Sequence, residues 1–315
     1  MARFLARRLV MLIASLLVAS FAIYGALYLA PGSPISVLTG GRTIPPATVH
    51  LLERQYHLNE PFLTRYWDWL TGALHGDLGF SVAPREEVSH LVATRIGTTA
   101  ELVVFSSILI IVFGVAAGVL SGLRPGRVDT SVLVGTTVLA ATPSFVAAIL
   151  LITVFAVDLH WLPALGDGSG FGGQLEHLTL PAIALATSSL ALVARVTRAS
   201  VREERRREHV QTAVSRGLPS SLIVRKHVLR NAAIPITTVS GLTIASLFAL
   251  AAIVETAFNL NGIGAALVKA AASKDFAVVQ AISLILVAAF VITNAIVDVL
   301  YAVLDPRVTL GAAAS

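Results

Sequence analysis

Cysteine is absent from the 315 residues, which excludes a disulfide framework and thiolate chemistry. Charge is scarce. Asp, Glu, Lys and Arg make up 13% of the chain, about half the density of an ordinary soluble domain. Lysine occurs only as Lys226, Lys269 and Lys274, followed by His, Ala and Asp. No GxxxxGK[ST] phosphate cradle therefore exists, and the chain has no P-loop of its own with which to hydrolyse ATP. The eight histidines form no HExxH pair, which removes the commonest zinc-hydrolase pattern.

Apolar residues fill the space left by charge: 56% of the chain, with a mean hydropathy of +0.81. They are grouped in six runs, at residues 9–30, 102–120, 132–157, 178–194, 234–254 and 277–300. Each is near the ~20 residues needed to cross a hydrocarbon core about 30 Å thick. The expectation is an all-α polytopic membrane protein with six transmembrane helices. The first run follows Arg3, Arg7 and Arg8 but is longer than a signal-peptide core, and no convincing small-x-small cleavage site follows it, so it is read as a retained span. Ser188, Ser189, Ser240 and Ser246 lie in spans without an acid or base partner. They read as helix-packing residues rather than as the nucleophile of an intramembrane protease.

Orientation follows from the basic residues. With the N-terminus inside, the cytosolic segments hold sixteen of the 23 Lys and Arg residues, ten of them between 195 and 230. Positive charge is retained on the cytosolic side during insertion, so both termini are expected there. The chain divides into an N-terminal tail and first span (1–30), a large external loop (31–98) and a core of five spans (99–315) with a cytosolic loop at 195–235.

In the external loop, Pro31-Gly32-Ser33-Pro34 stops the first helix. Tyr66, Trp67, Trp69 and Leu70 then cluster on a short amphipathic segment. Two readings stand: a helix lying on the outer membrane interface, or a small loop core that touches no lipid. Gly168-Ser169-Gly170-Phe171-Gly172-Gly173 formally matches GxGxxG, but no strand precedes it, so it reads as a flexible loop. Pro143, Pro181 and Pro235 lie in or at the ends of spans three to five, where proline bends a helix. No inverted repeat relates the two halves, which disfavours the common secondary-transporter plans.

Residues 195–230 carry ten basic and three acidic side chains. Beside a membrane such a patch suits lipid headgroups or a protein partner better than nucleic acid. Within 209–235, Val210, Ala213 and Val214 share a helical face, Gly217 suits a helix end, and a second helix is expected over 219–230. A short helix held off the membrane by a turn can seat in a groove of another protein. Two acids stand near membrane depth. Glu255, at the outer end of span five, is read either as part of an outer gate or as an interfacial cap or helix contact. Asp298, near the inner end of span six, is read as a structural pairing.

Several stretches resemble the permease subunits of bacterial ABC importers of the oligopeptide/dipeptide/nickel family. Gln211-Thr212-Ala213-x-x-x-Gly217, followed by RKHVLRNAAIP, resembles the family's EAA loop. Gly76-Asp77-Leu78-Gly79-x-Ser81, Trp161-Leu162-Pro163-Ala164-x-Gly166, Val254-Glu255-Thr256-Ala257-Phe258 with Gly262-x-Gly264, and Asp298 with Asp305-Pro306-Arg307 match in order along the chain. Gln211 replaces the usual glutamate, and Asn261 stands where proline is common. The resemblance implies a bacterial inner-membrane subunit that pairs with a homologous second permease and receives substrate from an extracellular binding protein. It also implies docking on two P-loop ATPases through Gln211, Thr212, Ala213, Gly217, Leu218 and Pro235. ATP and Mg would then sit on the partner subunits, with no cofactor in this chain. Peptides are the first substrate class, with nickel or another small solute as the alternative; an ion-gradient-driven secondary transporter and a membrane enzyme or scaffold are the competing readings.

Overall fold

A computed structural model describes residues 2–29, 45–55, 59–82 and 85–304. The helix stop at 31–34 and the motif at 305–307 lie outside the described residues. Helix α1 (Ala2–Tyr28) is followed by α2 (Pro46–Gln55) and α3 (Phe62–Leu74). A two-stranded antiparallel hairpin, β1 (Phe80–Ser81) and β2 (Glu86–Glu87), leads into α4 (Val88–Leu123). Next come α5 (Arg127–Ala141), α6 (Ser144–Asp158), α7 (Gly170–Arg205) and α8 (Glu208–Ser215). The long α9 (Ser220–Ala257), α10 (Ile263–Ser273) and α11 (Phe276–Leu304) complete the order.

Helices α1, α4, α7, α9 and α11 are long and apolar enough to cross a membrane, which makes five crossings, or six if the bent pair of α5 and α6 is one span. The single third span expected over 132–157 is thus two helices, bent by 101°. The break is at Thr142-Pro143, both in extended backbone. Proline has no N–H to donate and pushes the residue before it out of the helical region. Pro181 and Pro235 do not break their helices.

The core lies where α4, α6 and α7 meet α9, around Leu102, Ile110, Ala148, Leu185, Val193 and Leu247. Gly114, Gly118 and Gly122, one turn apart on α4, all face α7. A Cβ on Gly118 would come within 2.5 Å of the Ala194 carbonyl oxygen and Thr197 Cβ. Small residues at this spacing let backbones approach closely where the solvent is lipid. A second cluster joins the start of α4 (Val88, Leu91, Val92) to α10 and the start of α11. Because α4 begins at Val88 and packs there, the division drawn at 98/99 falls inside one helix. Arg8 of α1 pairs with Asp298 of α11, so the beginning of the first span and the end of the last lie side by side; Asp298 takes the structural pairing.

The GxGxxG stretch is only partly a loop. Gly168 and Gly170 have φ of +71° and +70°, while residues from Gly170 onward form the first turn of α7.

Candidate functional site

Helix α8 is the polar helix expected inside 209–235. Val210 and Ala213 are each 4% exposed and pack with Val201, Ile223, Val228, Ala232 and Ile236, with Val115, Val119 and Leu123 alongside. Val214, expected on the same face, is 59% exposed. Gln211, Thr212, Ser215, Gly217 and Leu218 are exposed as well. The helix is clasped along one narrow edge and open on the rest.

Its end is a Schellman turn. Gly217 has φ +73°, its N–H donates to Val214 O (2.9 Å), and the Leu218 N–H donates to Ala213 O (3.2 Å). Both bonds satisfy carbonyls that a helix terminus leaves open, and the left-handed residue between them favours glycine. At the other end the Gln211 side-chain amide donates to Arg206 O at 3.2 Å. This bond uses an amide donor that the glutamate usual at this position lacks. Asn231 of α9 donates to His227 O (2.9 Å) and lies 3.2 Å from His209 Nε2, joining the base of α8 to α9.

The second helix does not stand apart from span five as expected. Residues 219–230 run directly into it as α9, with a π-helical stretch over Ile223–Leu229 and Pro235 on an exposed position. At ~1.5 Å per residue, the 38 residues of α9 extend for about 57 Å, well past a ~30 Å hydrocarbon core. The polar end of α9 is thus a rigid extension of a span. Of the expected docking residues, Gln211, Thr212, Ala213, Gly217 and Leu218 come together on α8 and its turn, while Pro235 lies about four turns further along α9.

The basic stretch is less free than its composition implies. Arg198 meets Asp129 of α5 through Nε (2.5 Å) and Nη2 (2.9 Å), and Arg202 joins through Nη2 (2.6 Å). Ser121 of α4 donates to the same carboxylate, which is 8% exposed. Arg205 donates to Leu123 O (2.8 Å) and Arg195 to Thr137 Oγ1 (3.0 Å). Four of the ten cations therefore bind α4 and α5 to α7; Arg206, Arg216, Arg225, Lys226 and Arg230 remain exposed. Asp129 is the functional-end residue that reading by sequence missed. The available signal was one acid beside Arg124 and Arg127, with Arg198 and Arg202 one helical turn apart.

At the opposite end of the bundle, Glu255 is fully buried. Thr99 Oγ1 donates to its Oε1 (2.6 Å), the Ala265 N–H donates to Oε2 (2.8 Å), and the Ile263 N–H donates to Thr99 Oγ1 (2.9 Å). A carboxylate at the first turn of α10 satisfies open N–H groups and complements the helix dipole. This is the geometry of a helix cap, with Glu255 0% exposed in this chain. A Cβ on Gly262 would overlap this carboxylate, and one on Gly264 would meet the α9 backbone at Ala252 Cα, 2.6 Å away. The remaining outer motifs converge here. Asp167 Oδ1 accepts from the Asn261 N–H (2.8 Å), the Gly166 N–H donates to Phe258 O (3.1 Å), and Ser81 Oγ donates to Asp275 Oδ2 (2.6 Å).

Residues 114–310 match the family profile described as binding-protein-dependent transport system inner membrane component. The chain belongs to that family. Residues 1–103 match the N-terminal profile of the same transport-system membrane components. This permease is 35% identical over 310 residues to the oligopeptide transport system permease protein OppB of Escherichia coli K12, covering 98% of this chain and 99% of that one. It is 36% identical to OppB of Salmonella typhimurium at the same coverage. It is 32% identical over 312 residues to the glutathione transport system permease protein GsiC of Escherichia coli O6:H1, again covering 98% and 99%. A chain of the inward-facing MetNI methionine ABC transporter shares the fold, with a TM-score of 0.55 and 16% identity over 68% of this chain and 96% of its own. The permease is a multi-pass bacterial inner-membrane transport subunit of an ABC importer, not an enzyme.

Proposed function

We propose that this permease forms half of the translocation pathway of a peptide importer and is driven by ATPase subunits that seat on α8. The carrying observation is the division of α8 into a clasped edge (Val210, Ala213) and an open face bearing Gln211, Thr212, Ser215 and the Gly217-Leu218 turn. A helix fixed on one side and presented on the other is suited to transmit a push. The oligopeptide and glutathione names of its full-length relatives support peptides as the substrate class over nickel or another small solute. On this reading the α8 end of the bundle faces the cytosol, in keeping with the positive charge there. A second, homologous permease completes the pathway, a binding protein delivers substrate to the Glu255 end, and ATP with Mg stays on the ATPases.

The absence of cysteine makes the test direct. Thr212→Cys or Ser215→Cys introduces a single thiol into the full chain. In the assembled importer either should cross-link to a cysteine in the ATPase cleft, while Val268→Cys at the opposite end should not. Vesicle uptake of a peptide length series should require ATP and stop with vanadate. Uptake that ran on a proton or sodium gradient and ignored ATP would sink the importer reading.

A further inference from the structure

Helix α3 carries a surface that the transport reading leaves unused. At ~100° per residue, Leu63, Trp67 and Leu74 fall within an arc of about 40°. They are 66%, 62% and 78% exposed. Thr64, Asp68, Thr71 and His75 form the polar edge beside them. On the other flank, Phe62, Tyr66, Trp69 and Leu70 are packed on α1. There Phe62 meets Phe21, Tyr24 and Tyr28 at ring-centroid distances of 5.6, 5.5 and 5.0 Å, and Tyr66 meets Phe21 at 5.2 Å. The apolar sector is therefore wider than the strip that α1 covers.

We propose that the uncovered strip is a lipid contact: α3 is an anchor dipped into the outer leaflet, its Leu63, Trp67 and Leu74 edge against acyl chains and its Thr64 and Asp68 edge toward water. Depth on α1 chooses this occupant. The candidate span of α1 runs over Ala6–Tyr28, 23 residues or about 34 Å at ~1.5 Å per residue, only a few Å more than a hydrocarbon core about 30 Å thick. Ser20 lies eight residues, or about 12 Å, below Tyr28. The Ser20 and Tyr66 hydroxyls share a hydrogen bond of 2.8 Å, with the residues 1% and 8% exposed. Through Tyr66, α3 thus reaches beside the outer part of a span instead of standing above it. The surface of α1 around this contact, Leu17, Val18 and Phe21, is itself 46%, 70% and 46% exposed in this chain, and Phe21 joins it to α3 through its contacts with Phe62 and Tyr66. Mutual pairing of two hydroxyls is what polar groups placed in hydrocarbon require, and an indole suits the boundary between chains and headgroups. Through the turn at Gly76 and the Ser81–Asp275 bond, the anchor also sets the height of the outer hairpin against the start of α11.

The test places single spin-labelled cysteines at Leu63, Trp67 and Leu74, and at Thr64 and Asp68, in the full chain. The labelled subunit is assembled with its partners in phosphatidylethanolamine/phosphatidylglycerol liposomes. Power saturation with oxygen and with a water-soluble nickel chelate should favour oxygen at 63, 67 and 74 and the chelate at 64 and 68. Chelate access at 63 and 74 would place the strip in water. Shielding of those two labels from both relaxants, with or without added binding protein, would place it under protein. Either result overturns the proposal. Positions 63 and 74 decide it even if Trp67→Cys disturbs the helix.

Discussion

Thr99 and Glu255, 156 positions apart, share a 2.6 Å hydrogen bond that ties α4 to α9, and both also bind the first turn of α10. One buried carboxylate thereby holds three elements at the end of the bundle opposite α8. Gly262→Ala should break this node, because the added methyl overlaps the carboxylate. Glu255→Ala leaves Thr99 and a backbone N–H without their acceptor, at about 1–3 kcal/mol for each buried group. Both variants should shift the unfolding midpoint of the detergent-solubilised subunit downward, with Glu255→Gln milder because one acceptor oxygen remains. An unchanged midpoint for Glu255→Ala would refute the cap.

At the opposite end, Asp129 gathers Ser121, Arg198 and Arg202. Asp129→Ala leaves two arginines facing one another with no counter-charge between them. It should impair stability and ATPase-coupled uptake more than Ser121→Ala, which removes a single donor. Restoring much of the loss by pairing Asp129→Ala with Arg198→Leu would identify charge imbalance as the cause. Two losses that simply added would argue against coupling.

Gly217→Val forces a β-branched residue into the left-handed region, at roughly 1–2 kcal/mol. Gly217→Pro cannot reach φ +73° at all, since its ring holds φ near −65°. Membrane insertion should be normal in both, while ATP hydrolysis by the assembled importer becomes uncoupled from uptake, more completely for proline. Wild-type uptake by Gly217→Pro would remove this turn from the coupling path.

The Ser81–Asp275 bond, with the Val82 N–H donating to the same oxygen at 3.0 Å, fastens the β1–β2 hairpin to the start of α11. Asp275→Ala should free the hairpin and speed proteolytic cleavage between Gly76 and Glu87 in right-side-out vesicles by several-fold. Cleavage at the wild-type rate would show that the hairpin is held by its other contacts.

How much of this was legible in the chain varies by element. Apolar runs mark the crossings because hydropathy is a local property, and five of the six expected spans are continuous helices. The third differs because Pro143 breaks a helix whose composition alone reads as uninterrupted. The fusion of 219–230 with span five went the other way: polarity suggested a boundary, yet the helix runs through Pro235 to Ala257 without a break. Gly217 was readable as a helix end because left-handed backbone selects glycine.

Glu255 could be located by its cost in an apolar run, but its role could not, since its partners Thr99 and Ala265 come from other elements. Asp129 could be noticed as one acid beside Arg124 and Arg127, but its partners could not be named: it lies 69 positions from Arg198, and no spacing rule relates them. The sequence by itself determined that the chain lives in a membrane, has no P-loop of its own and offers a short helix with a glycine turn at its polar end. Only the tertiary structure decided which charges are spent inside the fold, which acid caps which helix, and which apolar edge of α3 stays uncovered. Hydrophobicity and backbone preference act over a few neighbouring residues, whereas ion pairs, caps and close helix contacts form between segments that meet only after the chain has packed.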